Sequence, residues 1–359
     1  MSLTPSFETV RAILMRIDPE RAHKLVLSNL DRATVFGLHR EWGSFPEEDP
    51  VEVMGLRFPN AVGLAAGIDV NAQCVSAFGA MGFGSVEVGT ATKVAREGFP
   101  SPRLTRIDGA EGAIGGLIEN MGLANAGLSQ ILKNMRSAQA LKIRGGVVGL
   151  SIGKSPDDTG EAEADAYGDM LALAWDSPVD YIALNVSSPA YADAQDLQTP
   201  ECLGELLASV AERRARLSQA SEATKSKPVA IKLSVDIQGE QLENVIETAI
   251  GAGIDGVILG NATRQRPGLA GTLQAGLPGG LCGVNVRDLA RKQLETAVDY
   301  AGGDIAIVSV GGIYTAEEAA LRVRMGADLV QIASGFFQGG PQLVADAVEA
   351  IARERAGGR

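Results

Sequence analysis

The sequence predicts a (β/α)₈ barrel with a short N-terminal helical extension, on three observations. From about residue 55 onward, eight short β-branched or apolar runs each end in Gly, Asn, Ser or Thr, and a helical stretch follows each. That alternation marks a parallel α/β protein. No GxGxxG opens a helix after the first run, which argues against a doubly wound dinucleotide sheet. The long intervals follow the second, fourth and sixth runs, on the strand-end face where barrels build their sites.

In chain order, residues 1–45 form an extension distinct from the barrel of residues 46–359. Phe7, Val10, Ile13, Leu14 and Ile17 fall on one helical face, and Pro19 opens a second helix in which Ala22, Leu25 and Val26 do likewise. Residues 1–40 carry six Lys/Arg against four Asp/Glu, whereas the remainder carries 26 against 40. Such a pair of helices serves either as a cap packed on the barrel or as an apolar entrance resting on a membrane surface. Strands are expected at 61–67, 85–90, 147–153, 181–187, 228–234, 256–261, 305–312 and 329–334, with insertions at 91–125, 189–199 and 262–286.

Composition narrows the function classes. Hydrophobic residues make up 45% of the chain and no run of eighteen is apolar, which excludes a transmembrane helix. The opening MSLTPSFETV lacks a basic stretch running into an apolar one, so a cytoplasmic location is expected. A net charge of −12 argues against a nucleic-acid partner, which needs clustered cations. Cys74, Cys202 and Cys282 are scattered, so neither a disulfide framework nor a metal site is expected. Both histidines, His23 and His39, precede the barrel, which removes a Ser-His-Asp triad or a His-ligated metal from it.

The strand ends carry the chemistry. Gly311 and Gly312 close the seventh run, and Ser334 and Gly335 the eighth. Barrels bind phosphate after these two strands, where glycine lets backbone N–H groups approach the anion, so a phosphorylated cofactor is expected. Lys232 sits inside the apolar run IKLS, where an ammonium needs an anionic or strongly accepting partner. A Schiff-base lysine and a cation beside a flavin ring both satisfy that. Asn185 and Asn261 offer amides that donate and accept at the ends of the fourth and sixth runs, and either also serves as a loop cap. Ser187 and Ser188 precede Pro189. With no histidine in the barrel, a serine base needs a buried, water-linked setting, and the plain alternative is a turn hydrogen bond.

Together these motifs resemble the dihydroorotate dehydrogenases, and among them the membrane-associated, quinone-linked class 2. The likeness runs from about residue 18 to 341. It includes DPERAH (18–23), GLAAGID (63–69), GAMGFGSVEVGT (79–90), PRLTRI (102–107) and SIGK (151–154), then ALNVSSP (183–189), IDGVI (254–258), SVGGI (309–313) and VQIASGF (330–336). The resemblance implies FMN as cofactor, held by Ala65, Ala66, Gly67, Thr90, Ser151, Asn185, Lys232, Gly260, Gly283, Gly311, Gly312, Ala333, Ser334 and Gly335. It sets Lys232 near the flavin N1 and C2 carbonyl rather than in a Schiff base. It implies a quinone as electron acceptor, met by His23 and Arg106 in a tunnel under the N-terminal helices, with peripheral contact to the inner face of the cell membrane. It makes Ser188 the base that takes the C5 proton of dihydroorotate.

The substrate side departs from the family pattern. The lysine of the family's AAGLDKN is Val70, and its NRMGFNN becomes Glu119, Asn120, Met121, Gly122, Leu123, Ala124 and Asn125. The asparagine after SSP is Ala190, and an Asn-Thr-Thr becomes Asn261, Ala262 and Thr263. Losing a lysine while gaining Glu119 makes the pocket less welcoming to a carboxylate, by as much as several kcal/mol of affinity. Quinone-linked oxidation of dihydroorotate is the leading expectation. Its alternatives are a paralogue that keeps the flavin and quinone sites but oxidises another small molecule, and a flavin-binding barrel without catalysis.

Overall fold

The computed structural model describes residues 5–109, 114–158, 161–189, 191, 193–220 and 226–357. Two helices open the chain. Ser6 caps α1 (Phe7–Leu14) by accepting from Thr9 N, and Asp18 caps α2 (Pro19–Val35) by accepting from Arg21 N. Pro19 takes the first helical position, where no N–H is required. Ile17 lies beyond the end of α1, and Ile13 and Leu25 are 56% and 49% exposed, so the expected apolar stripes are only partly covered.

A hairpin of β1 (Val51–Val53) and β2 (Leu56–Phe58) follows. Its two-residue turn, Met54-Gly55, has both residues at positive φ, the twist that matches paired antiparallel strands.

Eight parallel strands then close a barrel: β3 (Val62–Leu64), β4 (Ser85–Ala91), β7 (Val147–Ile152), β8 (Tyr181–Asn185), β9 (Val229–Leu233), β10 (Gly256–Leu259), β12 (Ala306–Val310) and β13 (Leu329–Ile332), which returns to β3. Each coincides with an expected run. The first shortens to three residues because the chain leaves the ladder at the mouth, where Gly67 takes a φ of +101° and donates to Gly89 O at 2.9 Å. β8 and β9 are buried at every position. Helices cover the outside and side chains fill the inside, so continuous apolar runs mark these strands.

Between the strands lie α3 (Val75–Ala80), α4 (Leu128–Asn134), α5 (Gln139–Ile143), α6 (Glu161–Trp175), α7 (Pro200–Ala220), α8 (Glu240–Gly251), α9 (Arg287–Ala301) and α10 (Ala316–Arg324). α8 shows why: Leu242, Val245, Ile246 and Ala249, one helical face, are buried. The closing α11 (Ser334–Gly357) kinks at Gly340, whose φ is +60°. A Cβ there would lie 2.7 Å from the Phe7 ring, so the kink makes room for α1. Arg11 Nη1 donates to Gln338 O at 2.6 Å and fastens the same contact.

Two of the strand-end insertions meet in a second sheet that the sequence analysis does not foresee. β5 (Leu104–Asp108), β6 (Ile114–Glu119) and β11 (Gly280–Gly283) pair antiparallel in the order β11-β6-β5 around a small core of Ile107, Ile118, Leu269 and Leu281. In the remaining insertion, Ala190 lies outside the described residues. Among the described residues no helix is long and apolar enough to cross a membrane.

Candidate active site

A cavity of about 710 Å³ joins the N-terminal helices to the C-terminal mouth of the barrel. Phe7, Val10 and Leu14 of α1 and Ala22, Leu25 and Val26 of α2 form its apolar end. Thr90, Asn185 and Lys232, from the ends of β4, β8 and β9, form its floor. Gly311, Gly312, Ser334 and Gly335 form one side, and Leu117, Glu119 and Cys282 of the antiparallel sheet another. An apolar pocket with a few convergent polar groups is the usual form of a small-molecule site.

The floor is built by register. β8 and β9 pair Asn185 with Lys232, which sets the amide beside the amine. Lys232 Nζ lies 3.7 Å from Glu87 Oε1, inside the barrel. Glu87 is fully buried, and its Oε2 accepts from Tyr181 OH and Gln331 Nε2, both at 2.8 Å. Burial together with the Glu87 charge raises the Tyr181 hydroxyl well above its ordinary value, so it stays a donor.

Above them, Asn185 Nδ2 donates to Thr90 Oγ1 at 2.7 Å, and Thr90 Oγ1 shares a 3.0 Å hydrogen bond with Ser151 Oγ. Asn185 Oδ1 accepts from Ser187 N and Oγ, and Asn261 Nδ2 donates to Ser187 Oγ at 2.9 Å. A connected polar set of this kind fixes side-chain orientation. Ser188, 5% exposed, lines the cavity beside this network.

The glycines serve close approach. A Cβ on Gly335 would lie 2.0 Å from Ile313 O, and one on Gly312 2.5 Å from the Arg287 backbone. The turn after β12 is held from below by Arg322, fully buried, whose guanidinium donates to Ser309 Oγ, Arg287 O and Gly311 O, and to Glu318 Oε1 at 2.7 Å.

At the apolar end, His23 Nε2 donates to Ile68 O at 2.8 Å, and burial lowers its pKa below the ordinary value, which keeps the ring neutral. The Arg106 guanidinium donates to Leu14 O, Met15 O and Ile17 O, the last carbonyls of α1 and the turn beyond it. Cations suit helix C-termini for this reason. Glu20 of α2 is bound by the Arg103 guanidinium, by Ser101 Oγ at 3.1 Å and by Lys24 Nζ at 2.8 Å. The Arg103 hydrogen bond brings its pKa down to about 2.

A profile described as dihydroorotate dehydrogenase matches residues 50–354. The chain belongs to the dihydroorotate dehydrogenase family. A "Dihydroorotate dehydrogenase (quinone)" from Marinobacter nauticus is 39% identical over 96% of this chain and 98% of its own length. One from Delftia acidovorans is 39% identical over 99% and 100%. A crystal structure of DHODH from Eimeria tenella in complex with ferulenol superposes with a TM-score of 0.84 at 26% identity, covering 95% of this chain and 93% of that one.

In this dihydroorotate dehydrogenase family member the cavity gathers most residues that sequence analysis singles out. Ala65, Ala66, Gly67, Gly260, Gly283, Gly311 and Ala333 line it, as do Val70, Met121, Gly122, Leu123, Asn261 and Ala262. Ser151 and Asn120 do not: Ser151 acts through its bond to Thr90, and Asn120 spends its N–H on Arg103 O. Glu87, Tyr181, Gln331 and Arg322 are not singled out by the sequence, and Cys282 is read there only as a scattered thiol. A polar residue inside an apolar strand run, as in VEV and VQI, is the signal that marks Glu87 and Gln331.

Proposed function

We propose that the chain oxidises dihydroorotate to orotate and passes the electrons to a quinone, with FMN as its bound cofactor. The observation that carries this is the continuous cavity from α1 and α2 to the Lys232 and Ser188 end. The residues fit an FMN. The glycines after β12 and β13 leave backbone approachable beside the start of α11, where N–H groups and the helix dipole favour a phosphate. Lys232 sets its amine on the cavity floor, 3.7 Å from Glu87, and Thr90 and Asn185 set polar groups beside it. FMN supplies, when bound, a two-electron acceptor for the hydride leaving C6 of the substrate.

The chain's own groups do the rest. Lys232 would set a positive charge beside the bound flavin ring, where it would favour electron density on the ring. Ser188 Oγ, shielded from bulk water, takes the proton from C5 as its own hydroxyl proton passes on to a water in the site. Asn185 and Asn261, locked through Ser187, present amides that hold a planar ring by its edges. His23 and Arg106 line the apolar end, where a quinone head group would enter.

Half-exposed Ile13 and Leu25, with Val35 and Phe36 at 84% and 80% exposure, favour a peripheral contact of these helices with the inner face of the cytoplasmic membrane. A second reading, a paralogue with another substrate, draws on Val70 and Glu119, which give the substrate side a carboxyl and leave it without the lysine of the family pattern at position 70. Growth of a strain lacking its own dihydroorotate dehydrogenase separates the two. Rescue by this chain without added pyrimidine supports the first reading, and no rescue by a well-expressed, flavin-loaded protein favours the second.

A further inference from the structure

The wall of the cavity made by the antiparallel sheet carries an ionisable group that the proposed reaction leaves without a task. Register sets Glu119 of β6 opposite Leu104 of β5 and Gly280 of β11. Leu117 and Cys282, paired two residues along on the same face, line the cavity with it. Glu119 Oε2 accepts from Met121 N at 3.3 Å, which leaves Oε1 to carry a proton.

Among the described residues, no cationic side chain is bonded to this carboxyl. The Cys282 thiol of β11 is pushed up to about 12 and stays neutral. Arg106 of β5 is engaged with the carbonyls of α1, and Lys232 of β9 faces Glu87. α11 contributes Ser334, Gly335 and Phe336 to the cavity, the short turn Val284–Val286 also packs on β6, and neither segment brings a titratable side chain there. Val70, Met121 and Leu123 line the same cavity. Burial raises the pKa of Glu119 above its ordinary value.

We propose that Glu119 is the specificity-determining residue of the substrate side: as a neutral acid it donates a hydrogen bond to a ring substrate bearing a carboxylate, and as an anion it excludes that substrate. The inference rests on the assignment of this cavity to dihydroorotate and orotate. An acid O–H bonded to a carboxylate is a strong, charge-assisted pair, whereas two carboxylates in one desolvated site cannot both stay ionised. Binding of an anionic substrate therefore takes up one proton at high pH.

The test is the dissociation constant of orotate, read from its perturbation of the flavin spectrum of the full-length protein between about pH 5 and pH 8. Above the pKa of Glu119 the affinity falls about tenfold per pH unit. Glu119→Gln, which keeps a donor without the charge, flattens that profile and binds orotate at least about tenfold tighter than the parent at the alkaline end. Glu119→Asn serves as a second neutral variant with the same expectation. Orotate binding with a flat profile in the parent, or the same slope in both variants, overturns the proposal while the substrate assignment stands. No orotate binding at any pH, in proteins whose flavin is reduced by dithionite and reoxidised by a quinone, overturns the substrate assignment and this inference with it.

Discussion

Lys232 Nζ and Glu87 Oε1 stand 3.7 Å apart inside the barrel, and the two residues arrive there from β9 and β4, separated by β7 and β8. Glu87 is bound in turn by Tyr181 and Gln331, so four strands meet on one carboxylate. Removing either member of a buried pair leaves an uncompensated charge, at a cost of roughly 3–5 kcal/mol. Lys232→Met and Glu87→Gln should each lower the thermal midpoint. The double variant should recover most of that loss, yet remain as slow as Lys232→Met in flavin reduction. Unfolding by calorimetry and stopped-flow reduction check both halves, and a double variant no more stable than Lys232→Met would refute the pairing.

Gly335 leaves no room for a side chain, since its Cβ would press on Ile313 O. Gly335→Ala should cost about 1–3 kcal/mol by overpacking and release the cofactor on gel filtration. Gly302→Ala is the control. It sits at the end of α9 with φ +55° and nothing within 4 Å, so it carries only backbone strain of about 1 kcal/mol and keeps the flavin. Equal flavin retention by the two variants would remove the glycine turn from the binding site.

Glu20 ties α2 to the segment before β5, with its pKa lowered to about 2 chiefly by Arg103. A depressed folded-state pKa contributes stability that is present above the ordinary value of 4.5 and is lost as pH falls toward about 2. Glu20→Gln should therefore cost about 1.5–3 kcal/mol near neutrality and erase that part of the acid dependence. Hydrogen exchange of α2 amides measured at pH 7 and at pH 3 checks this. An unchanged acid dependence in the variant would assign the effect to other carboxylates.

Much of this was legible in the chain. The eight strands announce themselves because a strand buried on both faces must be apolar throughout and must end where a turn residue lets the chain leave. Gly311, Gly312, Ser334 and Gly335 are legible for the same reason, as they fall at two strand ends. The β11-β6-β5 sheet is not legible, because its strands come from insertions more than 150 residues apart and only tertiary pairing of Gly280 with Glu119 joins them. Arg106 reads in the sequence as a polar lining residue and does line the cavity, but its tie to the carbonyls at the end of α1 is not legible there. Glu87 is hidden for a similar reason: its partners each lie two strands away around the barrel and far off in sequence.

The central claim, that one cavity passes electrons from dihydroorotate to a quinone, is met most directly by anaerobic titration of the purified, yellow protein. Dihydroorotate should bleach the flavin absorbance, and a quinone should then restore it, with one equivalent of orotate formed for each flavin reduced. A flavin that dithionite reduces and a quinone reoxidises, but that dihydroorotate leaves unbleached at any pH, would contradict the account.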